Sequence, residues 1–182
     1  MKFPKLDLVC GHVDLRPFFN CVKVTKESTF ASEAHVIVWH KTSEIFKDDF
    51  IQSLPDQGIL IPANAIKTLR KVSSVKITLS DDKSRVIIQQ KDGSEITYPC
   101  KNDLSYPECE SLFKEPEEKQ SIIKIGINAD LLNRLAQAMC GTFVSIRLYF
   151  YQENKAIIVK QTTGDYYSAK GLIMPVLIPD EL

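Results

Sequence analysis

Five cysteines (Cys10, Cys21, Cys100, Cys109, Cys140) and three histidines (His12, His35, His40) are the residues of this chain best suited to chemistry. A cysteine nucleophile needs a base within hydrogen-bond reach of its thiol, and a zinc site needs clustered ligands at close spacing. Neither is present. Cys10 with His12, or His35 with His40, makes too small a set, and no Cys-x-x-Cys occurs. Gly-rich phosphate loops, Gly-x-Ser-x-Gly, His-Glu-x-x-His and paired-carboxylate motifs are also missing, and glycine is scarce at seven residues. The sequence therefore predicts no catalytic residue, no metal and no cofactor. An odd number of cysteines without close pairs reads as free thiols in a reducing compartment.

Binding is the remaining class, and charge limits it. Lys+Arg and Asp+Glu both number 23 in 182 residues, so only a local basic patch could hold a polyanion. No stretch reaches the roughly 18–20 apolar residues of a membrane span. The N-terminus lacks the apolar run of a signal peptide, which points to the cytoplasm and to no membrane partner. At 44% hydrophobic residues the chain has enough apolar content to bury a sizeable core.

The elements that must position any binding residues form a repeat. In "GILIP" (58–62) a short apolar strand ends on Pro62, which suits the first turn of a helix. "ANAIKTLRKV" follows, with Ala63, Ile66 and Leu69 on one face. "VKITLS" then alternates Val75, Ile77 and Leu79 with polar residues. "RVIIQQ" comes next, and Asp92-Gly93 leads by a hairpin turn into "EITYP". The order is β-α-β-β-β. It returns at "IIKIGI" (122–127), with Asn128 as N-cap and Leu131, Leu135 and Met139 striping the helix "ADLLNRLAQAM". "TFVSIRLYFY", "AIIVKQ" and "YYSAKGLIMPV" supply the strands that follow.

Four divisions result: a β-rich segment at 1–57, a first unit at 58–99, a connecting segment at 100–120 and a second unit at 121–182. "KDDFIQSLPDQG" reads as a loop or a short helical turn stopped by Pro55. Hairpin-short connections make the sheets antiparallel, with two helices packed on one face, an α+β fold.

The second unit ends on Leu172, Ile173, Met174, Val176, Leu177 and Ile178, interrupted by Pro175 and Pro179. Termini are usually polar and fray, so this one is either tucked into the core or kept accessible to a partner.

A duplicated β-α-β-β-β unit with these details resembles the bacterial DNA sliding clamp family, the beta subunit of the replicative polymerase. The likeness rests on "GILIPANAIKTLRK", on "SYPECESLFKEP" as an aromatic-Pro linker, on the helix and strands from "INADLLNRLAQAM" to "AIIVKQ", and on the tail "GLIMPV". "DLRPFFNCVKV" and "ASEAHVIVW" are similar to a strand and the turn that follows it, where clamps read Asp-Gly-His and this chain reads Glu33-Ala34-His35. Clamp subunits are longer and carry more helix-bearing repeats, so the resemblance is to a shortened or rearranged clamp.

The resemblance implies a DNA-clamp-like fold and a non-enzymatic processivity factor. Its helices would face the backbone of double-stranded DNA without reading bases, and several copies could form a homo-oligomer. Lys67, Arg70, Lys71 and Arg134 would be the DNA-facing residues. Peptide motifs of polymerase or repair proteins would dock in an apolar groove of His35, Ile37, Leu172, Met174, Pro175 and Val176. Proline stiffens such a tail, and methionine adapts to varied peptides. Leu172 and Ile173 also fit a simpler role, completing the last strand and packing inward. A non-ring adaptor or inhibitor that binds protein partners without encircling DNA is the alternative function.

Overall fold

A computed structural model describes residues 3–11, 16–71, 76–114, 125–140, 145–152, 155–163 and 168–176. His12, Val72, Val75, Leu177, Ile178 and Pro179 lie outside them, as do residues 115–124 of the connecting segment and of the start of the second unit.

Residues 1–57 contribute three strands, β1 (Cys21–Val24), β2 (Ser28–Ser32) and β3 (Val36–Lys41), and a six-residue helix α1 (Asp48–Ser53). Thr25 Oγ1 accepts from the Glu27 and Ser28 N–H groups and turns β1 into β2. The helical alternative for "KDDFIQSLPDQG" is the one realised. It is also a third helix where the sequence predicts two.

The first repeat unit supplies β4 (Ile59–Pro62), α2 (Ala63–Lys71), β5 (Lys76–Leu79), β6 (Arg85–Gln89) and β7 (Glu95–Pro99). The second supplies α3 (Ala129–Cys140), β8 (Ser145–Tyr149), β9 (Ile157–Thr163) and β10 (Lys170–Ile173). Asn128 caps α3, its Oδ1 accepting from Asp130 N–H at 3.0 Å and Leu131 N–H at 3.2 Å.

All pairings between these strands are antiparallel. Seven strands form one sheet in the order β4-β1-β2-β3-β10-β9-β8, and β5-β6-β7 form a second. The two units therefore place their strands differently. Strands β8–β10 extend the large sheet, whereas β5–β7 leave it. Strand β4 pairs with β1, and its outer edge is closed by the chain after β7: Lys101 N–H donates to Leu60 O, and Leu60 N–H donates to Asn102 Oδ1. The segment before α3 meets the tail through one bridge, Gly126 with Val176.

Both long helices lie on one face of the large sheet, α2 over β4 and β1, α3 over β3, β10, β9 and β8. A single core joins Ile66 and Leu69 of α2, Leu135 and Met139 of α3, and the inward residues of the strands. Gly171 of β10 sets the closeness of α3. A Cβ there would come within 2.8 Å of both Leu135 Cδ1 and Met139 Sδ. Gly58 is needed for a different reason. Its φ is +73°, and a Cβ would stand 2.4 Å from Val24 O.

Candidate protein-docking site and helix face

The turn between β2 and β3 holds Glu33-Ala34-His35. Glu33 N–H donates to Val36 O, and Ala34 N–H donates to Ser32 Oγ. Ala34 takes a φ of +81°, the left-handed region that favours glycine. Antiparallel pairing of β3 with β10 then sets Leu172 opposite Ile37, and beyond the last strand pair Met174 N–H donates to His35 O at 2.9 Å. Val176 N–H donates to Gly126 O at 2.9 Å, so the tail is held at both of its ends.

The six residues expected to form a groove are thus gathered along one stretch of contact between β3 and the tail, but their accessibility differs. Met174 and Val176 are 42% and 51% exposed, and His35 is exposed. Pro175 and Ile37 are half-buried, while Leu172 is buried. Strand alternation separates Leu172 from Ile173. Ile173 points into the main core, and Leu172 belongs to a small apolar cluster on the opposite face with Ile158 and Tyr151.

That outer cluster includes residues the sequence reading did not single out. Tyr149, Ala156 and Phe113 pack against it beside the expected Ile37. Phe113 comes from the connecting segment, in a turn of helix at Glu110–Phe113 whose neighbour Leu112 is 52% exposed. The segment is anchored upstream by Tyr106, whose ring meets Phe18 and Phe19 edge-on. Alternation along "AIIVKQ" puts Ile158 on the outer face and is the signal that could have found it. Nothing local marks Phe113.

The helix face is less positive than its sequence suggests. Lys67 and Lys71 are exposed. Arg70 pairs with the buried Asp7 at 2.8 Å. Arg134 pairs with Glu33 at 2.9 Å and also donates to Leu8 O at 3.4 Å. A turn at Leu6–Leu8 lies against both α2 and α3, with Leu6 and Val9 fully buried. Lys5 Nζ adds a bond to Gln137 Oε1 at 2.9 Å. Two of the four DNA-facing candidates therefore have intramolecular carboxylate partners.

Burial disfavours the thiolate at the four cysteines whose side chains are described. Burial pushes Cys21, Cys100 and Cys109 up to about 11, and raises Cys10 further. His40 is fully buried under α3, its Nε2 bonded to Ala138 O at 3.0 Å, and burial holds its pKa down to about 4. Among the described residues no group of three or more His, Cys, Asp or Glu could hold a metal ion. No described helix is long and apolar enough to cross a membrane.

No protein-family profile matches the sequence, and no curated protein matches it. Solved structures do match. Caulobacter crescentus pol III beta is 12% identical with a TM-score of 0.73, over 96% of this chain and 62% of that one. The H. pylori beta clamp in complex with diflunisal is 10% identical with a TM-score of 0.66, over 96% and 62%. A DnaN sliding clamp from Bartonella birtlesii bound to griselimycin is 10% identical with a TM-score of 0.60, over 95% and 63%. This chain spans less than two thirds of the length of each. With its two helices on one face of antiparallel sheets, the chain has the fold of the bacterial DNA polymerase sliding clamps.

Proposed function

We propose that this chain is a non-enzymatic, sliding-clamp-like replication factor that holds a partner protein by a short apolar peptide. The site is the exposed tail of Met174, Pro175 and Val176 beside His35 and Ile37, with Leu172 as its buried floor. One observation carries this reading. The Met174–His35 backbone bond presents an exposed methionine and an exposed valine on a rigid support next to a second apolar cluster. Exposed apolar side chains in a fixed array are suited to burying a peptide's Leu or Phe.

A Leu/Phe-rich peptide titrated by fluorescence anisotropy tests it. Replacing both Met174 and Val176 by alanine is expected to weaken binding about tenfold, the scale of losing two central contacts. Unchanged affinity would remove the groove.

DNA contact is a second reading, favoured by the exposed Lys67 and Lys71 on α2. Binding to double-stranded DNA should then fall steeply as salt rises and lessen in Lys67→Ala/Lys71→Ala. Arg70→Ala and Arg134→Ala should matter less, because Asp7 and Glu33 already engage those side chains. Light scattering tests whether copies assemble. A monomer would favour the adaptor over a ring.

A further inference from the structure

The outer face of the large sheet carries a second row beside the apolar one. Strand register sets Lys170 opposite Trp39, Lys160 opposite Lys170, and Arg147 opposite Lys160. Lys170 Nζ lies 5.2 Å from the Trp39 ring centroid, and Lys160 Nζ lies 4.6 Å from that of Tyr149. Arg147 Nη1 donates to the Tyr149 hydroxyl at 3.4 Å. Lys41, two positions past Trp39, is exposed on the same face.

Strands β2, β3, β8, β9 and β10 contain no Asp or Glu at all. Glu44 stands at the border, accepting from Ser168 N–H at 3.3 Å. In a chain of zero net charge, these strands carry cations and no carboxylate. Like charges directly opposite one another destabilise a sheet. Of the three cations abreast, Lys170 and Arg147 are exposed and Lys160 is half-buried.

Two residues along each strand the face turns apolar, through Ile37, Leu172, Ile158 and Tyr149. One segment of the chain is seated on that apolar row, through Phe113, and it reads Glu108-Cys109-Glu110-Ser111-Leu112-Phe113. It is an apolar anchor preceded by acids. The apolar row thus already accepts, within the molecule, an aromatic side chain from a segment that also carries acids.

We propose that Lys170 and Arg147 form the second half of the docking site, and that the partner peptide is acidic beside its Leu or Phe anchor. The anchor fills the apolar row, in competition with Phe113, and the carboxylates lie on the cations. This rests on the docking reading above and adds the charge of the partner. Cation–π seating of Lys170 over Trp39 holds its exposed ammonium group at the surface, where it can meet a carboxylate.

The test compares two labelled peptides, one Leu-Phe anchor flanked by glutamates and its glutamine-flanked counterpart, with oligo-dT as a polyanion control. The acidic peptide should bind about tenfold more tightly, the sum of a few exposed ion pairs. The preference should shrink below about threefold in Arg147→Glu/Lys170→Glu and at high salt, while Met174→Ala/Val176→Ala weakens both peptides equally. Lys170→Gln should lose part of the preference with no fall in thermal stability, a pattern that a purely structural lysine would not give. Equal binding of the two peptides, or a preference that survives charge reversal, overturns the proposal and leaves the groove standing. Displacement of the acidic peptide by oligo-dT at equal concentration would assign the row to nucleic acid instead. If neither peptide binds, both readings fall.

Discussion

The two faces of the seven-stranded sheet are built from the same strands and hold very different amounts of cover. Inward residues such as Val22, Val38, Val159 and Ile173 are fully or almost fully buried beneath two long helices. On the outer face of β3, β10, β9 and β8, Leu172 and Ile158 are covered, among the described residues, by Tyr151 and by the half-buried Ile37, Tyr149, Ala156 and Phe113. The inner face is where the fold is held together. The outer face is only partly filled, and its neighbour rows are charged or exposed. Burial that rests in part on a half-buried connecting-segment residue leaves a surface that another chain could share.

Leu135→Ala breaks this comparison most severely if it is wrong. Leu135 is fully buried against Gly171, and its truncation should cost about 3–4 kcal/mol in urea unfolding, from lost burial plus the cavity left behind. Leu172→Ala, the same chemistry on the outer face, should cost about half as much because the cluster there is small and can relax. Equal losses would mean that the outer cluster is part of the core.

His40 probes the inner face by pH. Burial lowers its pKa in the folded protein to about 4 from an ordinary 6.5, so the unfolded chain takes up a proton that the folded chain resists. The stability contributed by neutral His40 is complete above pH 6.5. It declines as pH falls toward 4, by a total on the order of 3 kcal/mol. Urea midpoints at pH 7 and pH 4.5 should differ more for the natural chain than for His40→Asn, which keeps whatever acid sensitivity the carboxylates confer. Parallel profiles would show that His40 is not buried as described.

Phe113→Ala sharpens the outer side. It should cost about 1–2 kcal/mol, less than a core phenylalanine, because the ring is only half-buried. The same change should raise the affinity for a Leu/Phe-rich peptide if that peptide and Phe113 use one surface. A large stability loss with no gain in binding would make the connecting segment a fixed part of the fold.

Local signals in the sequence carried the helices and most strands, because their cues are local: Asn128 as cap, the Leu131-Leu135-Met139 stripe, the Asp92-Gly93 hairpin. What they did not carry is pairing at a distance. Two stretches that share a helix followed by three strands send those strands to different sheets, since β1–β3 insert between β4 and β10, and no local pattern encodes that. Before α3 the described residues hold an isolated bridge at Gly126 where the sequence predicts a strand. The residues proposed for the groove follow from the tail and the turn, whereas Phe113, Tyr149 and Tyr151 reach the same face only through tertiary packing. Charge was misleading for the same reason. Arg70 and Arg134 look free on a helix wheel, yet Asp7 and Glu33 are brought to them from far along the chain.

The smallest expected effect falls at the turn between the two faces. Ala34 occupies a backbone conformation that costs an L-residue about 1–2 kcal/mol, at the position where the Asp-Gly-His turn of clamps has glycine. Ala34→Gly removes that strain but loosens the unfolded chain, so the net gain should be about 0.5–1 kcal/mol. The turn also fixes His35, whose carbonyl accepts from Met174 N–H, so relief there acts on the tail as well as on β3. Denaturation should show a modest rise in midpoint, and hydrogen exchange should show slower exchange of the Met174 amide. A stability gain with faster exchange at Met174 would indicate that the strained alanine is what holds the tail against β3. The strain would then belong to the docking site, at the expense of the fold.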